Sequence, residues 1–281
     1  MKIEKNNITI DVFQDSKFAL DGGAMFGIVP KVLWQKDKPG DELNRINLAA
    51  NIVLIRHPEY TMLIEQGMGD KWNGKQVEIY SIRREKSQLE HLAGYGVNKE
   101  DVTHVVLTHL HFDHCGGATI NNENGEIVPA FPNAKYFVQK TQFNEAVNPH
   151  ERNQGSFIPD CFMPLHKANQ LELLDGDCEI ASGISTVVTG GHAVGHQAIE
   201  IDYDDVKAVY IGDLIPTAHH MNLPWIMGYD LFPGETLEMK KKLLPRYIEE
   251  KRLIIFPHED RFFGGFAYMD EKERYRVRKQ G

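Results

Sequence analysis

The stretch Val105-Val106-Leu107-Thr108-His109-Leu110-His111-Phe112-Asp113-His114-Cys115-Gly116-Gly117 places three histidines and a carboxylate in six consecutive positions, directly after an apolar run of strand character. Side chains of an extended segment alternate, so His109, His111 and Asp113 should project to one side. Asp113 and His114 are consecutive and should point to different positions, which suggests two metal ions. Neutral imidazole and carboxylate suit zinc, manganese, cobalt or iron. Gly116 and Gly117 let the backbone turn away afterwards. A polar strand-end loop whose histidines merely cluster is the alternative reading, and the density of the motif disfavours it.

Three later strands end in further ligand types. Thr186-Val187-Val188-Thr189-Gly190-Gly191-His192-Ala193-Val194-Gly195-His196 closes one with two histidines, Val209-Tyr210-Ile211-Gly212-Asp213 closes the next with a carboxylate, and Leu253-Ile254-Ile255-Phe256-Pro257-His258 closes the last with a histidine. Each alone is a weak signal. Together with the first cluster they supply enough imidazole and carboxylate for two metals. The three cysteines, Cys115, Cys161 and Cys178, have no C-x-x-C spacing and read as small buried apolar groups.

The elements that must position these residues have α/β grammar. Ile8–Phe13 alternates as an opening strand, and Ile52–Ile55 with Met62–Ile64 reads as a hairpin. Ser87 and Glu90 form a capping box for a helix that ends near Gly94, ahead of the strand 103–107. Residues 134–139 read as a strand, 140–147 as a short helix and 148–169 as a loop-rich crossing, with strands again at 171–174, 184–188, 198–203 and 208–211. Residues 236–250 have helical spacing, with Pro245 forcing a kink or break and a packing role only. Arg274–Lys279 reads as a basic surface tail, and Asp21–Pro30 as an irregular glycine-rich loop.

With 281 residues, 42% of them hydrophobic, the chain can bury a sizeable core. A net charge of −9 disfavours nucleic acid as the main partner. No apolar run is long enough to span a membrane, so no membrane partner and a cytoplasmic location are expected.

His109-Leu110-His111-Phe112-Asp113-His114, followed in order by His192, Asp213 and His258, resembles the signature of the metallo-β-lactamase superfamily in its dinuclear hydrolase form. The resemblance covers nearly the whole chain and implies one domain over residues 1–281, folded as a four-layer αββα sandwich. Within the superfamily the chain resembles the quorum-quenching N-acyl homoserine lactonases, the YtnP-type above all, and also the methyl parathion hydrolase group. The segments that carry this closer likeness are Asp21–Trp34, Gly212–His220 and Leu223–Met227.

The resemblance implies one metal on His109, His111 and His192, a second on Asp113, His114 and His258, and Asp213 bridging both. His196 matches a position that is usually not a ligand. Two departures stand out: Glu65 occupies a position where many relatives carry aspartate, and Pro216 one where the best-known lactonases carry a tyrosine. The implied activity is lactone opening by a hydroxide held between two divalent cations, zinc first, with Asp113 moving a proton. Apolar walls for the acyl chain are expected from Met25, Phe26, Trp225, Met227 and Phe263, and His220 is a further substrate-binding candidate in place of the missing tyrosine. Rival readings are hydrolysis of organophosphate triesters or aryl esters on the same metals, and a non-enzymatic metal-binding regulator. A homodimer is compatible with all of them.

Overall fold

The computed structural model describes residues 1–280. The chain divides into two compact units, each assembled from two stretches: Met1–Lys17 with Ala50–Asp175, and Phe18–Ala49 with the chain from Gly176 onward. The fold is mixed α/β with two large sheets, as the family resemblance implies, and each sheet has seven strands among the described residues.

The strands of the first sheet and an accompanying hairpin are β1 (Lys2–Lys5), β2 (Ile8–Asp21), β3 (Arg45–His57), β4 (Tyr60–Ile64), β5 (His104–Val106), β6 (Thr119–Asn121), β7 (Ile127–Pro129), β8 (Lys135–Gln139) and β9 (Leu171–Leu174). The sheet order is β1-β2-β3-β4-β5-β8-β9, and β6 pairs with β7 separately. β4, β5, β8 and β9 run parallel. Parallel neighbours need crossover connections, which the helices Gln88–Gly94 and Lys140–Val147 help to supply. Ser87 and Glu90 cap the first of these reciprocally, as their spacing predicts. In this unit Leu63, Val105, Leu107, Tyr136, Val138 and Phe162 form the core. The ligand-rich stretch leaves the C-terminal end of β5, the edge at which open α/β sheets place their chemistry.

β2 is longer than its alternating pattern suggests. Beyond Phe13 the sequence turns polar, yet Asp15 stays buried because Arg84 forms an ion pair with it at 2.6 Å, and Lys17 bridges to Arg83. A local pattern cannot register a partner some seventy residues away.

The second unit carries β10 (Glu179–Ala181), β11 (Ile184–Val188), β12 (Gln197–Tyr203), β13 (Val206–Tyr210), β14 (Leu253–Ile255), β15 (Gly264–Met269) and β16 (Tyr275–Lys279), in that spatial order. Only β13 and β14 are parallel, and the helix Pro233–Glu249 crosses between them. Three expectations need correction here. Arg274–Lys279 is not a free tail, since Tyr275–Lys279 pairs antiparallel with β15. Of the kink or break expected at Pro245 the break does not occur: the crossover helix runs on to Glu249 because Leu243, Leu244 and Tyr247 bury in one cluster with Val209, Ile211 and Ile254, which offsets the roughly 3 kcal/mol cost of an internal proline. Gly22–Phe26, expected to be an irregular loop, is a short helix whose N-terminal cap is Asp21, accepting the Ala24 amide at 2.8 Å.

Candidate metal centre

In the first unit, β5 ends at Val106, the chain bends at Thr108, and it then tightens into a helical turn, Phe112–Cys115. His109 and His111 keep the expected alternation, with ring centroids 4.4 Å apart. Asp113 and His114 do not point apart as consecutive strand residues would. The helical turn brings His114 Nε2 to 3.8 Å from Asp113 Oδ2, and the His114 ring centroid to 4.0 Å from that of His109. Ligand atoms of His109 and His111, of His109 and His114, and of Asp113 and His114 lie within 4.8 Å of each other.

The turn is stitched to the segment after β4. Glu65, buried and with φ +70°, accepts the Thr108 amide on Oε1 at 2.6 Å and faces His114 Nδ1 with Oε2 at 2.5 Å. The Gln66 amide donates to His114 O, and Lys71 Nζ donates to the carbonyls of Gly116 and Thr119 at 2.6 Å each. Gly116 has ordinary helical dihedrals, but a Cβ there would stand 2.1 Å from Met68 O. The glycine is needed because two backbones meet.

In the second unit, Gly190 and Gly191 take positive φ and turn β11 into His192, whose Nδ1 lies 2.9 Å from Asp230 Oδ1. Asp230 Oδ2 accepts the Thr236 hydroxyl at 2.7 Å from the start of the crossover helix. That helix therefore fixes His192 through Asp230 and is more than packing. His258 Nδ1 sits 2.8 Å from Ala49 O, and the His258 amide donates to Pro216 O. His196 Nε2 accepts the Asp213 amide at 2.9 Å, a structural role.

These partners bias the tautomers. Nδ1 of His114 and His192 faces a carboxylate and that of His258 a carbonyl, so the neutral form of each ring carries its proton on Nδ1 and presents an Nε2 lone pair. His192 Nε2 then lies 3.3 Å from Asp213 Oδ2, and His258 Nε2 3.1 Å from Asp213 Oδ1. Acceptors facing acceptors at such distances repel unless a cation lies between them. The donor set fits a divalent, nitrogen- and oxygen-preferring ion.

Among the residues expected to line a substrate pocket, Met25, Phe26 and Met227 are buried, whereas Trp225 and Phe263 are half-buried. Phe26 stacks on His220 and Trp34, with centroids at 4.8 Å and 5.2 Å, and meets Trp225 edge-on at 5.6 Å. His220 itself is 1% exposed, with Nδ1 on the Thr217 hydroxyl and Nε2 on Met25 O. Burial pushes its pKa down to about 3, so the ring is neutral and both nitrogens are engaged. The supporting residues Asp230 and Thr236 carry no signal in the sequence, because a lone Asp after a Gly-Tyr pair or a Thr early in a helix looks like solvated surface.

The family model described as the metallo-beta-lactamase superfamily matches residues 45–258. A solved structure of a probable metal-dependent hydrolase from Staphylococcus aureus superposes with a TM-score of 0.88 at 31% identity, covering 99% of this chain and 100% of that one. An N-acyl homoserine lactonase of Bacillus thuringiensis is 27% identical over 227 residues, 76% of this chain and 82% of the relative. The structure of AidC, described as a dizinc quorum-quenching lactonase with N-hexanoyl-homoserine product, shares the fold with a TM-score of 0.80 at 21% identity. Ligand-rich strand ends, imidazoles poised through Nε2 and a family model spanning all the ligand-bearing strands lead to one assignment: the chain belongs to the metallo-beta-lactamase superfamily and is a hydrolase of that family.

Proposed function

We propose that this hydrolase opens the ring of N-acyl homoserine lactones, a quorum-quenching activity, and that it does so with two divalent cations, zinc foremost. The ligands would be those given by the family resemblance: His109, His111 and His192 for one ion, Asp113, His114 and His258 for the other, and Asp213 for both. The observation that carries the reading is Asp213, with each carboxylate oxygen facing the Nε2 lone pair of a different histidine. The relative from Bacillus thuringiensis supports the substrate class.

The bound cations would supply Lewis acidity toward the lactone carbonyl and would lower the pKa of the attacking water. The protein's part is orientation and proton handling. Glu65, Asp230 and the Ala49 carbonyl fix three imidazoles in the tautomer a metal requires. Pro216 has no proton to give to the leaving alkoxide, and His220 is closed off by Thr217 and Met25. Asp113, beside His114, is the group we assign to carry that proton.

Metal content by mass spectrometry, paired with acid release from lactones of graded chain length, tests the proposal. Two ions per chain are expected, with turnover lost in His109→Ala and Asp213→Ala. A single ion, or unchanged turnover in both variants, overturns the mechanism. Faster turnover of a paraoxon-like triester than of any lactone would move the substrate to organophosphates.

A further inference from the structure

Lys240 lies in the middle of the crossover helix and is fully buried. Its Nζ donates to three backbone carbonyls of one loop: Asn222 at 2.6 Å, Trp225 at 3.0 Å and Leu223 at 3.2 Å. Burial pushes its pKa down to about 7, with the Asp230 carboxylate opposing. Three acceptors match the three donors of an ammonium, whereas a neutral amine has only two. A buried cation costs free energy that surface loops do not ordinarily require, so its placement calls for a reason.

The loop it holds is one wall of a cavity of about 500 Å³, in which Leu223, Pro224 and Trp225 with Leu33 and Tyr275 form an apolar side, and the charged residues Asp37, Glu273, Arg274 and Arg276 line the rest. Trp225 also meets Phe26 edge-on, and Phe26 stacks on His220, which the chain carries seven residues after Asp213. The cavity wall and the ligand-bearing loop thus belong to one packed layer.

We propose that Lys240 is a positioning residue that fixes the 222–225 loop as the wall of this cavity, and that the cavity takes the apolar acyl tail of the substrate. The inference rests on the lactonase reading for the substrate, while the role of Lys240 stands on its own contacts. A tail long enough to reach the cavity gains affinity from apolar burial, and a short one does not.

Lys240→Met keeps the length of the side chain without its donors. Lys240→Arg keeps the charge, but a planar fork cannot meet three converging carbonyls, so it is the second variant should the first fail to fold. Hydrogen exchange of the amides of residues 222, 223, 225 and 226, with and without decanoate, is measured alongside KM and kcat for butanoyl- and decanoyl-homoserine lactone. In the natural protein decanoate should slow exchange. In the variants those amides should exchange about tenfold faster, with KM for the decanoyl substrate about tenfold higher, kcat within about twofold and the butanoyl substrate unaffected. Unchanged exchange in the variants, an absence of protection by decanoate, or an equal loss of kcat for both substrates overturns the proposal. If no lactone is opened by any of the proteins, the lactonase reading falls, and the exchange data still decide the role of Lys240.

Discussion

Glu65 holds His114 through one carboxylate oxygen, 2.5 Å from Nδ1, and holds the Thr108 amide through the other at 2.6 Å. One side chain thus fixes both ends of the turn that carries His109, His111, Asp113 and His114. Glu65→Gln has a single acceptor for two donors and must leave one unpaired. Loss of such a partner ordinarily lowers metal affinity about 10- to 100-fold. Competition with a chromogenic chelator should show a drop of that order, with Glu65→Asp retaining more affinity than Glu65→Gln because it keeps two acceptor oxygens.

Asp230 plays the corresponding part for His192 and is itself fixed by Thr236. Asp230→Ala frees the imidazole to rotate and to change tautomer, so one ion should be held about 10- to 100-fold more weakly. Thr236→Val removes a single hydroxyl, leaves Asp230 in place and should weaken binding less. Divalent metal retained after dialysis, measured per chain, should rank natural protein, Thr236→Val and Asp230→Ala in descending order.

His220 predicts an acid-sensitive contribution to stability. Its folded pKa is pushed down to about 3 from an ordinary 6.5, so it is neutral in both states above pH 6.5. Below that the unfolded chain takes up a proton that the folded chain refuses, and the contribution is lost as pH falls toward about 3. Thermal unfolding followed from about pH 7 to about pH 4 should show a smaller loss of Tm in His220→Gln than in the natural protein, because the substituted side chain does not titrate. Parallel curves for the two proteins would contradict the assignment.

Gly116→Ala places a methyl group 2.1 Å from Met68 O, and backbone stands on both sides of the contact. Relief requires the two segments to separate, and overpacking of this kind costs about 1–3 kcal/mol or more. A lower Tm is expected even in metal-free protein, since the clash does not involve a ligand. Gly94→Ala, where a Cβ meets nothing within 4 Å, is the matched control and should leave Tm essentially unchanged.

The candidate metal-binding residues were legible as a cluster from the chain alone, because their types and spacing are covalent facts: six consecutive positions from His109 to His114, and three strand-end residues after apolar runs. So were the Ser87–Glu90 capping box and the helix Lys140–Val147, whose signals lie within one or two turns of backbone. The sequence also carried the departure at Glu65, without saying what that carboxylate touches.

Tertiary structure decided what holds each candidate ligand. Glu65 and His114 are separated by 49 positions, Asp230 and His192 by 38, and His258 and Ala49 by 209. No periodicity reports a hydrogen bond across such distances, because the partner is chosen by where chain reversals bring it. The same holds for Lys240, which reads as solvated surface until the 222–225 loop is folded over it. The turn at Phe112–Cys115 was decided by packing as well: Gln66, Lys71 and the glycine contact tighten it into a helix, and so bring Asp113 and His114 together where an extended chain would have pointed them apart.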